Sequence, residues 1–139
     1  FKVHLVKDEI LDKGPLMGIY SGLKFSLSKY NFIVACDMPF IKIPLIGHMI
    51  ESINNYDIIV PEIDGKFHPL FGIYSRECIP VMREMLRQDI LRISDIFPKL
   101  KSCFLSRQDL EKFDKNLVSL ININTIEDMI KAKEIQEDL

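Results

Sequence analysis

Among the residues that could do chemistry, Asp37 has the most informative position. It directly follows the unbroken apolar run 32–36 and precedes a loop that contains Pro39. Ligands of open α/β sheets bind outside the carboxyl ends of the strands. Magnesium is held by one or two carboxylates there, with water and substrate phosphates in its other positions. Asp37 therefore fits a magnesium ligand, although an Asp that only caps the following turn has the same pattern.

Two further motifs offer polar groups to a ligand. The run Gly14-Pro15-Leu16-Met17-Gly18 opens a predicted helix. Its free backbone N–H groups and the helix dipole attract phosphate or ribose, but the same residues also make an ordinary turn. Asn122 and Asn124 flank one apolar residue at the end of a predicted strand, so they point the same way and offer donors and acceptors. They could read the edge of a heterocycle or close the turn before the last helix.

Composition narrows the class of protein. The 139 residues suit one domain, with 47% apolar residues, 27% charged residues and a net charge of -2. Binding to a nucleic-acid polymer needs clustered excess Lys and Arg, so no such partner is expected. The three cysteines form no CxxC pair, which argues against a zinc site. No apolar run reaches 18 residues, so we expect no membrane association and a cytoplasmic protein.

Strands that alternate with helices must position these residues. The order predicts an α/β fold, a mostly parallel three-layer sandwich with right-handed crossovers. Gly18 and Gly22 lie inside the first helix, where glycine costs about 1 kcal/mol relative to alanine. We therefore expect a tightly packed strand or a ligand beside them. Strands are predicted over 1–6, 32–36, 58–60, 67–74 (irregular at Pro69), 102–105 and 117–121, and helices near Pro15, Pro44, Pro80 and Thr125.

Taken in order, the motifs resemble the molybdenum cofactor guanylyltransferases of the MobA type. The resemblance implies a Rossmann-like nucleotidyltransferase fold and an enzyme that uses Mg2+. Such an enzyme transfers GMP from GTP to molybdopterin, or to Mo-molybdopterin, and releases pyrophosphate. Molybdoenzymes or other cofactor-biosynthesis proteins are the further partners it implies. The matching stretches are Asp8, Gly14 to Gly18, Cys36-Asp37-Met38-Pro39, His68-Pro69-Leu70-Phe71 and Asn122-Ile123-Asn124-Thr125.

The resemblance also assigns a role to each matching residue. Asp37 would be the catalytic residue and the magnesium ligand, and would touch the nucleotide phosphates. The rest of the nucleotide site would consist of Asp8, Gly14, Pro15, Leu16 and Gly18. The pterin substrate would contact His68, Pro69, Asn122 and Asn124.

One part of the family pattern is not found between Phe1 and Leu139. The family opens with a Leu-Ala-Gly-Gly type loop, followed by an Arg and a Lys that bind the triphosphate. We therefore expect residues 1–139 to be a single nucleotidyltransferase domain without its opening βαβ segment of roughly 30 residues or more. Alone, it would have little or no transferase activity. Two alternatives stay open: a sister enzyme that uses CTP on the pterin or another nucleotide on a sugar or polyol phosphate, and a non-catalytic binding relative.

Overall fold

The structure, a computed structural model, describes residues 3–137. In this part of the chain, one sheet has helices on both faces, which confirms the α/β class and the three layers. None of the described helices has the length and apolar character that a membrane crossing needs. The strands are β1 (Tyr30–Val34), β2 (Ile58–Ile63), β3 (Lys66–Phe67), β4 (Phe71–Ser75) and β5 (Ser102–Ser106). The α-helices are α1 (Gly14–Phe25), α2 (Ile43–Glu51), α3 (Cys78–Arg87), α4 (Arg107–Glu111) and α5 (Ile126–Glu137), and 3-10 helices span Ile93–Lys99 and Lys115–Leu120.

Strand β2 organises the sheet. β5 pairs with it in parallel along residues 58–62 and so occupies one of its edges. β4 and β3 pair antiparallel with successive parts of the other edge. β1 pairs antiparallel with β4. The strands β1, β2 and β5 therefore share one direction and end at the same side of the sheet, whereas the neighbouring β3 and β4 run the opposite way.

Each face of the sheet carries its own apolar core. Successive side chains of a strand point to opposite faces. Accordingly, Ile58 and Val60 pack with α1 and α3, while Ile59 and Ile63 pack with α2 and α4. The methionine-rich face of α3 lies in the first core. Burial of both faces fixes β2 in place and with it the residues that follow β2.

The chain between β2 and β4 forms a tight hairpin followed by a break. Asp64 and Gly65 both have positive φ, +52° and +79°. This is the conformation favoured in two-residue hairpins, and it brings Lys66 opposite Ile63. Between β3 and β4, Pro69 lies in a turn, where its missing N–H costs no ladder hydrogen bond. The predicted irregular strand is thus two strands separated by residues 68–70.

Two predicted strands are wrong in the described part of the chain. Residues 3–7 form no strand, and Val3 and Leu5 are exposed. An alternating pattern alone makes no strand, because a strand also needs a neighbour for its N–H and C=O groups. Phe1 and Lys2 lie outside the described residues. The segment 117–121 is not extended either, because Asn116 and Leu117 adopt left-handed φ values of 63° and 50°.

Helix α1 buries one apolar face, and its two interior glycines lie in open space. Leu16, Ile19 and Leu23 are buried, whereas Leu27 follows the helix and is fully exposed. A Cβ placed on Gly18 or Gly22 would meet nothing within 4 Å. The tightly packed strand expected beside them is therefore not found among residues 3–137.

Candidate active site

Asp37 lies in a cleft beyond the carboxyl end of β1. The cleft has a volume of about 330 Å³ and is called here the Asp37 cleft. Its walls include Pro15 from the start of α1, His68 and Pro69 from the break before β4, and Asn122. The structure therefore brings together residues from four separate motifs that the sequence had singled out.

Main-chain pairing places the break at residues 68–70 beside Asp37. The N–H of Ala35 donates to the carbonyl of Leu70 at 3.0 Å, which extends the pairing of β1 with β4 by one residue. The hydroxyl of the buried Tyr74 donates to the Pro69 carbonyl at 2.5 Å. Burial raises the pKa of Tyr74, so this hydroxyl keeps the proton that it donates. These bonds fix one wall of the Asp37 cleft.

The opposite wall is tied to the Asp37 loop at both of the loop's ends. The N–H of Ile123 donates to the Asp37 carbonyl at 2.7 Å. At the other end, the N–H of Lys42 donates to Ser119 Oγ at 2.8 Å. Since Asn122 immediately precedes Ile123, the first of these bonds also fixes Asn122 at the cleft.

Asp114 shapes this second wall from the interior. It is 2% exposed, and its carboxylate accepts from the N–H groups of Val118 at 3.2 Å and Ser119 at 2.9 Å. The turn it organises contains the two left-handed residues Asn116 and Leu117. Sequence reasoning missed both Asp114 and Ser119. An Asp followed by Lys-Asn was the available signal, because Asp and Asn favour turns and tolerate left-handed backbone.

The carboxylate of Asp37 has a free acceptor. Its Oδ1 atom is buried and has no hydrogen-bond partner within residues 3–137. Buried polar atoms are almost always paired, and an unpaired one costs about 1–3 kcal/mol. A hard cation would satisfy this oxygen. No three His, Cys, Asp or Glu side chains of the described residues come together to hold a metal, so a cation at Asp37 would depend on ligand phosphates and water as Mg2+ commonly does.

Five predicted site residues do not line the Asp37 cleft. Asp8 accepts a hydrogen bond from Ser21 Oγ at 2.9 Å on α1, and Leu16 is fully buried in the first core. Gly14 begins α1 with a φ of +70°, and Gly18 lies on the open side of that helix. Asn124 donates its N–H to Asp128 at the start of α5, where the Asp128 N–H donates to Thr125 Oγ1.

Two further cavities adjoin the Asp37 cleft. The first, called here the Arg92 cavity, measures about 530 Å³ and shares Pro15, Phe67, Pro69 and Ile93 with it. The second, called here the Arg107 cavity, measures about 340 Å³ and shares His68 with it. The Arg107 cavity is also lined by Leu120 and Ile121, which lead directly to Asn122. The two flanking cavities also share Lys66 with each other.

His68 stands where the Asp37 cleft meets the Arg107 cavity, and it is held in its neutral form. Burial lowers the pKa of its imidazole, and the positive charges of Arg107 and Lys66 lower it further. A neutral imidazole carries one N–H donor and one acceptor nitrogen. His68 can therefore form hydrogen bonds on both sides without adding charge.

Comparison with known proteins places the chain in a family. The family model described as the MobA-like NTP transferase domain matches residues 1–102. The chain belongs to the MobA-like NTP transferase family. This confirms the resemblance drawn from the motifs. Nucleotidyltransferases generally use a divalent metal, and the unpaired Oδ1 of Asp37 fits one.

Curated members of the family are similar over most of the chain. A probable molybdenum cofactor guanylyltransferase of Pelotomaculum thermopropionicum is 34% identical over 136 residues, 98% of this chain. A molybdenum cofactor guanylyltransferase of Desulfosudis oleivorans is 38% identical over 122 residues, 87% of this chain. The chain spans 66% of the first protein and 60% of the second.

A solved structure has the same fold. Molybdopterin-guanine dinucleotide biosynthesis protein A from Archaeoglobus fulgidus superimposes with a TM-score of 0.75 and is 29% identical. The alignment covers 91% of this chain and 64% of that one. The mixed sheet described above is therefore shared with a member of the family.

Proposed function

We propose that the protein carrying this chain transfers GMP from GTP to molybdopterin, with Mg2+ bound at Asp37, and so forms the guanine dinucleotide cofactor. One observation carries the proposal. Asp37 has a buried, unpaired carboxylate oxygen in a cleft where the family's motifs converge. The relatives named molybdenum cofactor guanylyltransferase supply the substrate class.

The chemistry needs few protein groups. An oxygen of the terminal phosphate of molybdopterin attacks the α-phosphorus of GTP. The new P–O bond forms as the bond between the α-phosphorus and the pyrophosphate oxygen breaks, and pyrophosphate leaves with that electron pair. A bound Mg2+ would offset the repulsion between the two anions and polarise the phosphoryl oxygens. Asp37 would hold the ion, and the surrounding walls would keep the two substrates in line.

We assign the two substrates to different regions around Asp37. The nucleotide lies toward the Arg92 cavity, where Pro15 lines the wall and the first turn of α1 has no side-chain cap on its N–H groups. Such free groups favour phosphate. The acceptor lies toward His68 and Asn122. The acceptor oxygen and the leaving pyrophosphate oxygen would have to lie in line on opposite sides of the α-phosphorus, as a displacement at phosphorus requires.

A competition assay tests the proposal. The intact protein is incubated with Mg2+, molybdopterin and equal amounts of GTP and CTP, and a parallel reaction contains a sugar phosphate in place of molybdopterin. The nucleotide products are measured by mass spectrometry and the pyrophosphate by a coupled assay. We expect the guanine dinucleotide in large excess. A predominant cytosine product, or product formed on a sugar phosphate in place of molybdopterin, would overturn the proposed substrates. Absence of any product with all of these acceptors would overturn the catalytic reading.

A further inference from the structure

We propose that the Arg107 cavity is an anion subsite that binds a phosphate group of the acceptor, with Lys66 as its main cation. This inference rests on the proposed function, since the acceptor there is a phosphate ester. The cavity lies between the hairpin at Asp64 and the turn at Asn116. Among the site residues predicted from the sequence, His68 alone lines this cavity.

Of the charged side chains that line the cavity, Lys66 and Arg107 are cations and Asp64 is an anion. Arg107 is paired with Asp64 at 2.7 Å and with Glu111 at 3.2 Å. Lys66 has no ion-pair partner within residues 3–137 and lines the same cavity. An unpaired ammonium group is a strong donor for phosphate, because it brings full charge and three N–H groups. Lys66 is therefore the group available to an incoming anion.

The backbone fixes where this charge stands. β2 and β5 run parallel and end together, so Asp64 after β2 and Arg107 after β5 meet and form their ion pair. The two-residue turn then returns the chain at Lys66, paired opposite Ile63. Two left-handed residues, Asp64 and Gly65, make that turn. A longer loop would give Lys66 no defined position relative to Arg107.

The cavity also opens toward the reacting centre on the acceptor's side. It meets the Asp37 cleft at His68 and along the residues that lead to Asn122. The N-terminal residues of α1, which favour the nucleotide, do not line it. Lys66 also lines the Arg92 cavity together with Pro15, so the lysine alone does not distinguish the two substrates. An anion inside the Arg107 cavity would lie beside His68 and not beside Pro15, and this position favours the acceptor phosphate.

The test separates the two substrates by their KM values. Lys66→Gln is compared with Lys29→Gln, which removes an exposed lysine next to the opposite end of β1, and with Lys66→Arg, which keeps the charge. We expect Lys66→Gln to raise the KM for molybdopterin about tenfold or more, the effect of losing one charge-assisted hydrogen bond. The KM for GTP should change little, and Lys66→Arg should recover part of the loss. An increase confined to the KM for GTP would overturn the assignment to the acceptor.

A second measurement does not depend on turnover. Inorganic phosphate is added to the protein without nucleotide, and the imidazole signals of His68 are followed by NMR. We expect a saturable shift in the wild type and in Lys29→Gln, and its loss in Lys66→Gln. If this holds while no guanylyl transfer is found, the anion subsite stands and the proposed function fails. If transfer occurs but phosphate leaves His68 unmoved and Lys66→Gln keeps a normal acceptor KM, the subsite is refuted and the function stands.

Discussion

Two loops leave the same side of the sheet, and each carries an aspartate in a different state. Asp37 lies beyond β1, and its Oδ1 is buried without a hydrogen-bond partner among residues 3–137. Asp64 directly follows β2; its side chain is 73% exposed and is paired with Arg107. Hydrogen bonding to Arg107 lowers the pKa of Asp64. Asp64 thus already has its counterion, whereas residues 3–137 provide none for Asp37.

The difference shows that position in the fold does not by itself make a carboxylate catalytic. Both residues satisfy the rule that ligands bind beyond the carboxyl ends of strands. A paired, exposed aspartate contributes little, because water and salt screen it. A buried oxygen with a vacant lone pair is costly unless a ligand fills it. The two aspartates therefore differ in whether a carboxylate oxygen is free to bind a ligand.

The comparison predicts its largest effect in activity. Asp37→Asn should lower kcat by a factor of about 10² to 10³, because the ion loses its charged protein ligand and the transition state loses stabilisation of that order. Asp64→Asn, the matched control, should change kcat by less than about threefold, since an exposed ion pair is worth about 1 kcal/mol at most. Steady-state assays with circular dichroism to verify folding would measure both. Equal losses of kcat in the two variants would show that the free oxygen of Asp37 is not what makes this residue functional.

A second change attacks the strand on which both loops depend. A Cβ at Gly72 would lie 2.6 Å from Val60 Cγ1 and 2.9 Å from the Ile59 carbonyl oxygen. The oxygen belongs to β2 and cannot turn aside, so Gly72→Ala should destabilise the fold by about 3 kcal/mol, the upper end of the usual range for overpacking. Gly47→Ala is the control, because nothing lies within 4 Å of its added Cβ and alanine is favoured in helices. Urea titrations should show that Gly72→Ala lowers the free energy of unfolding and that Gly47→Ala raises it.

A third change loosens the Asp37 loop while leaving the hairpin at Asp64 intact. Asp114→Ala removes the acceptor of two buried N–H groups, those of Val118 and Ser119. We expect a loss of about 2 kcal/mol in the free energy of unfolding, typical of unsatisfied buried donors. The amide of Ile123 should also exchange faster, whereas that of Lys66 should not. Asp109→Ala, at a half-exposed position on α4, is the control; equal effects there would contradict the role given to Asp114.

Local patterns sufficed to predict those parts of the fold that local physics decides. The turn at Asp64-Gly65 and the hydrogen bonds between Thr125 and Asp128 each depend on neighbouring residues. The apolar run before Asp37 forms a strand only as part of Tyr30–Val34, and this strand lies at the edge of the sheet and is only partly buried. The direction of β4 could not be predicted in this way. It depends on which strand Phe71 to Ser75 pairs with, and pairing is a long-range property. The turn at Asn116 was missed because its apolar neighbours give the same pattern as a short buried strand.

The site divides along the same line. Asp37, Pro15, His68, Pro69 and Asn122 line one cleft, and the role of each stays a prediction. The residues that hold the walls together, Asp114 and Ser119, have no motif of their own. Their value comes from bonds to main-chain groups in the adjacent turn and more than 70 residues away. Lys66 and Arg107 could not be predicted as site residues either, because they are far apart in the sequence and only the folded sheet brings them to one cavity.

The smallest expected effect concerns the pH dependence of the region between the two loops. Burial, with the charges of Arg107 and Lys66, lowers the pKa of His68 from its ordinary 6.5. Between the folded and unfolded pKa values, the unfolded chain binds the proton first. The free energy of unfolding therefore falls as pH falls through the window just below 6.5, and His68 contributes no slope above it. His68→Gln should remove this slope from denaturant titrations.

The pKa of His68 in Lys66→Gln tests whether the charge of Lys66 acts on the imidazole. Removing one positive charge should raise the pKa of His68 and narrow the window, whereas Lys29→Gln should leave both unchanged. An NMR titration of the imidazole measures the pKa directly. Because Arg107 and burial remain, the rise should be partial and His68 should still titrate below 6.5. If the pKa stayed fixed in Lys66→Gln, the lysine charge would not reach the boundary between the Arg107 cavity and the Asp37 cleft, and the electrostatic link between the two loops would be lost.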